Sequence, residues 1–208
     1  MTIETPQNDA LQDSTLDERQ LLERAKSDPK AVSLLYRQHY TAIYGYVYRR
    51  IGHTHDTHDI VADVFVAMVR YLPGFRWTGV PFRCWLLKLS TSQINRWIRR
   101  KRFSRLWQSF DVTRHLVVTP TDRSQELLEP VRIAIFALPI AIQTVLTLHY
   151  FEGLSVDVIA QIMNCRPGTV KSRLSRGRDL LRKTLSQLEA RISYERQPIG
   201  RLSEEFDG

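Results

Sequence analysis

Glycine is scarce in this chain of 208 residues, nine in all, and none falls in a glycine-rich run that would cradle a phosphate group. Cysteine is scarcer. Cys84 and Cys165 are too few for a disulfide framework and stand at no metal-ligand spacing, a usage that fits a reducing cytoplasm. The longest apolar run, Ile133 to Ile142, is about half of the ~20 residues a membrane helix needs, and Pro139 interrupts it. Met1 to Asp13 is polar with several acids, so no secretory leader is expected. No period-two alternation of useful length and no internal repeat occur, which argues against sheets, barrels and solenoids. These absences leave a helical protein of the cytoplasm, with no cofactor and no metal site expected.

Positive charge is what the chain has in excess. Thirty Lys and Arg oppose 22 Asp and Glu, a net of +8. A basic chain attracts polyanions, and nucleic acid is the commonest one in a cytoplasm. The distribution says more than the sum. Six of the ten residues from Arg96 to Arg105 are basic. A second cluster holds Arg166, Lys171, Arg173, Arg176, Arg178, Arg182 and Lys183, opposed only by Asp179. Two separated basic helices point to two contacts with one extended polyanion.

Helical periodicity runs through most of the chain. Asp28 and Pro29 form an N-cap and first-turn pair, Leu34, Leu35, Ile43, Val47 and Ile51 recur at helical intervals, and Gly52 is the expected terminator. Asp56 is expected to cap the next helix, where Ile60, Val61, Val64, Phe65, Met68 and Leu72 make one apolar stripe that ends at Pro73-Gly74. A short aromatic loop, Phe75 to Pro81, leads into a long helix with Phe82, Trp85, Leu86 and Leu89 inward and the first basic cluster at its far end. Periodicity fades from about Ser104 to Glu129, although Leu106, Trp107 and Phe110 are suited to packing. It returns over Val131 to Leu138 and Ala141 to Tyr150, before a turn at Glu152-Gly153-Leu154.

Ser155 to Arg182 then has the layout of a helix-turn-helix: a short helix capped by Ser155, a turn at Asn164-Cys165-Arg166, and a helix opened by Pro167. Asn164 stands where the turn needs a left-handed residue. Val170, Leu174, Gly177 and Leu181 share one face of the second helix, while Gly168, Lys171, Ser172, Ser175 and Arg176 point away from it. Such a helix fits the major groove, where Arg donates two bonds to guanine and Lys and Ser hold phosphates. The competing reading is a solvated basic helix in an ordinary bundle.

The string Gly168-Thr169-Val170-Lys171-Ser172-Arg173-Leu174-Ser175-Arg176-Gly177-Arg178, preceded by Leu154-Ser155 and Val158-Ile159-Ala160, resembles region 4 of extracytoplasmic-function (ECF) sigma factors. The resemblance implies that this helix reads the minus-thirty-five promoter element through Arg166, Gly168, Thr169, Lys171, Ser172, Arg173, Ser175 and Arg176. Val158, Arg166 and Gln143 depart from the family's usual Glu, Ser and Arg.

The first half resembles region 2 of the same family. His55 to Phe65 is similar to the acidic helix by which these factors grip a coiled coil of the polymerase's largest subunit, implying contacts from Asp59, Ala62, Asp63 and Val66. The residue pattern agrees: Asp59 and Asp63 lie at i, i+4 opposite the apolar stripe, with Ala62, Val66 and Val69 also on the outer side. Phe75, Gly79, Phe82, Arg83, Trp85 and Leu86 resemble the segment that captures an unpaired base of the minus-ten element. Aromatic surface beside cations offsets the cost of unstacking a base. The implied minus-ten contacts are Phe75, Arg76, Trp77, Arg83, Asn95, Arg96, Arg99, Arg100 and Lys101, with Phe82 and Trp85 assigned to the core. Asp63, Ser92 and Arg96 depart from the family's usual Glu, Asn and Asp.

The expected fold is all-α: two small helical bundles joined by a flexible linker, the second with a helix-turn-helix. The expected division is a tail and helix start at 1–25, a region 2 domain at 26–103, a linker at 104–129, a region 4 domain at 130–192 and a tail at 193–208. The implied function is that of a non-enzymatic sigma factor that binds core RNA polymerase and promoter DNA, with an anti-sigma factor as a further partner by resemblance. A helix-turn-helix regulator would leave the Asp59/Asp63 face and aromatic loop without a task, and a sigma-mimicking adaptor would not need two basic clusters. A recombinase would need a nucleophile among arginines. Tyr44, Tyr46 and Tyr48 lie on a helix without such a constellation. His53, His55 and His58 lack the Cys or acid array of a zinc site and read as polar residues of a helix start.

Overall fold

The computed structural model describes residues 18–107 and 134–195, with side chains for 18–101 and 134–187. All regular structure among the described residues is helical. A first helix, α1, spans residues 18–25, followed by α2 (Pro29–Ile51), α3 (Thr54–Tyr71) and α4 (Phe82–Trp107). A helical turn at 134–136 precedes α5 (Ile140–Leu146), which continues as a wider π turn over Thr147–Phe151; α6 (Val156–Met163) and α7 (Pro167–Glu195) complete the chain.

The local chemistry sets these bounds. The Asp28 carboxylate accepts the Lys30 N–H at 2.8 Å and starts α2, and Gly52, at φ 71°, ends it with its N–H on Tyr48 O. A left-handed C-cap is where glycine carries no Cβ penalty. Asp56 does not cap α3. His53 does, its ring Nδ1 accepting the Asp56 N–H at 3.4 Å. One cap suffices for that end, and the Asp56 carboxylate is instead turned to α4, where it accepts from Trp97 Nε1 at 3.2 Å and pairs with Lys101 at 3.6 Å. Ser155 caps α6 by accepting the Val158 N–H at 3.4 Å, and Asn164 ends it in the left-handed region at φ 49°.

In the first module α2, α3 and α4 pack against one another. Leu35, Ile43, Val47, Ile60, Val61, Val64, Phe65 and Met68 are buried, with Phe82, Leu86, Leu87 and Ile94 from α4, whereas Leu34 faces solvent. Trp85 and Leu89 are half-buried. Tyr46 is fully buried with its hydroxyl against Thr91 Oγ1 at 2.8 Å, and Tyr44 stacks on Tyr48. Tyr46 and Tyr44 are thus occupied by packing. Helix α4 runs through Trp107, into the stretch read as a linker. Residues 108–129, the expected site of Phe110 and Pro120, lie outside the described residues, as do 1–17, 130–133 and 196–208.

In the second module α5 and α6 both pack against α7. Val170 and Leu174 are buried, and a Cβ added to Gly177 would meet Ile142 Cγ2 at 2.8 Å and Leu146 Cδ1 at 3.1 Å. Glycine here permits the close approach of α7 to α5. The buried side chains of both modules run into one apolar cluster, with α4 lying against α6. No helix among the described residues is long and apolar enough to cross a membrane.

Candidate nucleic-acid interface

Three surfaces carry the chemistry expected from the sequence. On α7, the buried stripe of Val170 and Leu174 turns the opposite side outward, and Lys171, Ser172, Ser175 and Arg176 are all exposed, with Arg166 and Gly168 in the turn and first residues before them. Thr169 and Arg173 are half-buried. Thr169 is held by the helix start: its N–H bonds to Arg166 O at 2.9 Å and its carbonyl accepts from Ser172 Oγ at 3.0 Å. Arg173 leans back toward the turn, with Nη1 at 3.9 Å from Cys165 Sγ. Lys171, Ser172, Ser175 and Arg176 thus lie exposed at the start of α7, with Arg166 and Gly168 beside them, while Thr169 and Arg173 are partly turned into the fold. No Asp or Glu lies on that face: Asp179, further along, pairs with Arg182 at 3.3 Å. Free cations beside short hydroxyls are suited to phosphates and base edges.

The second surface is the outer face of α3. Asp59, Ala62, Asp63, Val66 and Val69 are exposed, and Val66 and Val69 retain 58% and 51% of their surface. Asp59 faces His55 at 3.8 Å. Apolar surface rimmed by carboxylates is a pattern for a basic, partly apolar partner rather than for solvent.

The third surface joins the aromatic loop to α4, and its residues are not equally available. Phe75 packs edge-on against Phe82 and Trp85, with ring centroids at 5.4 and 5.0 Å. Trp77 is half-buried against the core, while Arg76 is exposed. A cleft of about 710 Å³ opens beside this loop, walled by Phe75, Arg76 and Trp85 on one side and by Gln161, Ile162 and Asn164 of the second module on the other. Further along α4, Arg96, Arg99 and Arg100 are exposed. Lys101 is drawn to Asp56 and lies over the Trp97 ring at 5.4 Å. Asn95 is half-buried, its Oδ1 without a hydrogen-bond partner. Arg102 and Arg105 fall where no side chain is described.

Arg83 has a partner that no sequence pattern announces. Its guanidinium donates to Glu152 Oε2, and the other oxygen of that carboxylate accepts from Arg49 Nη2 at 2.5 Å. The Glu152 side chain has no solvent exposure. Beside it, Arg50 is 3% exposed and donates to Gln143 Oε1 at 2.5 Å and Thr144 Oγ1 at 3.0 Å. Burial pulls Arg50 below the ordinary guanidinium range. Pairings across 69 to 103 positions leave no periodic or local signal. Elsewhere, burial pushes the Cys84 thiol up, away from reactive thiolate character. No group of three His, Cys, Asp or Glu able to hold a metal occurs among the described residues; His53 caps α3 and His58 meets Tyr40 Oη at 3.3 Å.

Comparison with known families agrees with this arrangement. Residues 35–104 match the model of sigma-70 region 2, and residues 131–181 match that of sigma-70 region 4. The chain is 31% identical over 186 residues to the ECF RNA polymerase sigma-E factor of Haemophilus influenzae, covering 83% of this chain and 97% of that protein. It is 31% identical over 158 residues to the ECF sigma factor SigW of Bacillus subtilis, covering 70% and 84%. Two solved structures share the fold. CnrH, determined in complex with the cytosolic domain of CnrY, has a TM-score of 0.62 at 22% identity over 82% of this chain and 97% of its own. RpoE of Bartonella quintana, determined with the anti-sigma factor NepR, has 0.64 at 19% over 74% and 96%. With both regions present in order and relatives matched over nearly their full length, this chain belongs to the ECF group of the sigma-70 family of RNA polymerase sigma factors.

Proposed function

We propose that the three surfaces divide the work of a sigma factor, the class of protein that binds core RNA polymerase and directs promoter recognition. Asp59, Ala62, Asp63 and Val66 of α3 hold the polymerase. Arg166, Gly168, Thr169, Lys171, Ser172, Arg173, Ser175 and Arg176 read the upstream duplex. Arg76 and Trp77, together with Phe75, receive the opened strand, and Arg83, Asn95, Arg96, Arg99, Arg100 and Lys101 line its backbone. The domains follow: residues 26–103 for docking and the minus-ten element, 130–192 for the minus-thirty-five element, and 104–129 between them. The chain binds and positions; polymerase performs the chemistry, in the cytoplasm.

The observation that carries this reading is the unopposed cationic face of α7, built on a buried stripe and a close glycine contact. An ordinary bundle helix gains nothing by keeping acids off one face, whereas a groove-reading helix must. The complex of the similarly folded sigma factor RpoE with the anti-sigma factor NepR supports such a partner here as well. Run-off transcription with core polymerase and a promoter library tests the whole reading. Folded protein should redirect initiation to a defined promoter class, and failure to do so would overturn it.

A further inference from the structure

The contact between the modules combines an apolar seam, where α4 lies against α6, with a charged cluster beside it. Glu152 is carried on the turn after α5, with no solvent exposure, and both of its oxygens are taken by the first module: Oε1 by Arg49 from the end of α2, Oε2 by Arg83 from the start of α4. Arg49 also lies over the Phe151 ring at 5.6 Å. A carboxylate held by two guanidiniums is the geometry in which arginines also hold a phosphate. Three guanidinium Nε atoms, of Arg49, Arg50 and Arg83, are buried without a hydrogen-bond partner. Closure thus leaves donors unsatisfied, which water or phosphate oxygens would satisfy on opening. With Glu152 out of water and Arg49 and Arg83 still 38% and 39% exposed, this cluster is a poor source of net stability, although costly to break on one side only. The contact is therefore suited to exchange of partners rather than to permanent locking.

We propose that Arg49 and Arg83 form one phosphodiester-binding site on the first module, occupied in the closed molecule by the carboxylate of Glu152. Module separation and strand binding are then one competitive equilibrium. The closed chain withholds Arg83 from nucleic acid, and the second module walls the cleft beside the aromatic loop. Gln143 is part of the device. Its amide accepts from Arg50, so an arginine there would set two cations against each other and favour the open form. The proposal rests on the reading of Arg83 as a contact to promoter DNA and adds Arg49 and an internal competitor to it.

The test uses the full chain, small-angle scattering for the radius of gyration, circular dichroism for helix content, and a labelled single-stranded DNA as probe. E152Q should expand the molecule and tighten strand binding about tenfold or more, since freed cations add phosphate contacts. Adding R49Q and R83Q to E152Q should abolish that gain while the chain stays expanded. Q143R, which leaves the carboxylate and both arginines in place, should also expand the chain and tighten binding. Compact E152Q and Q143R with unchanged affinity, expansion without tighter binding, or a gain that survives loss of both arginines would each overturn the proposal. Should either variant fail to fold, the unmodified chain decides. It should expand as the strand saturates it, and a compact DNA-bound form would refute the competition. Failure of the promoter reading has its own signature: the unmodified protein would not redirect core polymerase in run-off transcription, whatever the scattering shows.

Discussion

The two cationic surfaces differ in how they are held. On α7 Lys171 and Arg176 stand exposed on a face whose back is a packed stripe, and Asp179, the acid of that helix that pairs with Arg182, lies beyond them. Around the aromatic loop the rings lean on one another and on the core, and two of the cations, Arg83 and Lys101, are already engaged by the chain's own carboxylates. On the roles proposed above, one surface is ready and the other must be released. Cations that meet a duplex first gain by being preorganised, because steering acts at a distance and falls with salt. A surface for an unpaired strand has no substrate until the duplex opens, so masking it costs the resting molecule little.

The largest effect expected from separating the two surfaces is at Phe82, which is fully buried and touches both Phe75 and Trp85. Phe82→Ala should destabilise the first module by about 3–5 kcal/mol, the usual cost of emptying a large aromatic site. Denaturation followed by circular dichroism checks it, with upstream duplex binding by α7 as the internal control. If both losses fall together, the surfaces are less separable than their packing implies.

Next in size is the proposed recognition face of α7. Arg173→Ala with Arg176→Ala should weaken binding to the minus-thirty-five duplex by about 1–3 kcal/mol per base-reading arginine, or roughly tenfold and upward. Footprinting and a salt titration read both the loss and the reduced salt slope. An unaltered footprint removes these residues from the site. Charge reversal of Asp59 and Asp63 acts on neither cationic surface. It should lower affinity for core polymerase about tenfold with helix content intact, an effect that co-purification reports. Unchanged co-purification would exclude the docking role.

What could be read from the sequence divides along the same line. The stripes of α3 and α7 recur at i, i+3 and i+4, and Asn164 and Gly52 stand where a positive φ is required, so these elements announce themselves. Gly177 falls on the inner stripe by spacing alone, although the methyl groups of Ile142 and Leu146 that require it there appear only in three dimensions. Asp56 looks like a cap and is not one, because capping depends on which nearby acceptor reaches the free N–H, and His53 reaches it. Glu152 gave no signal. A single acid in a turn has no period, and its meaning comes from two arginines 69 and 103 positions away.

A smaller effect tests whether the turn of the second module is as preorganised as its helix. Asn164 is the one non-glycine residue with positive φ among the described residues. Asn164→Ala places a Cβ-bearing residue without a local polar side chain in the left-handed region, at about 1 kcal/mol. Asn164→Gly should be close to neutral. Thermal melts of the two variants distinguish them, and equal melting temperatures would mean that the turn owes nothing to that conformation.

The smallest effect belongs to the masked side and concerns pH. His39 on α2 packs edge-on against Phe82 at 5.5 Å, and its imidazole is held below the ordinary value, chiefly by burial and secondarily by the Arg83 charge. A lowered value in the folded state means that, as the pH falls through about 6.5, the unfolded chain takes up a proton that the folded chain refuses. Stability therefore declines over that window and levels off once the folded imidazole also protonates. Above the window both states are neutral and His39 contributes no slope. His39→Gln should flatten this part of the stability profile relative to the unmodified protein, as urea midpoints on either side of the window would report. Superimposable profiles would show that the ring titrates as freely as one in solvent, and the Phe82 surroundings would then be more open than their packing indicates.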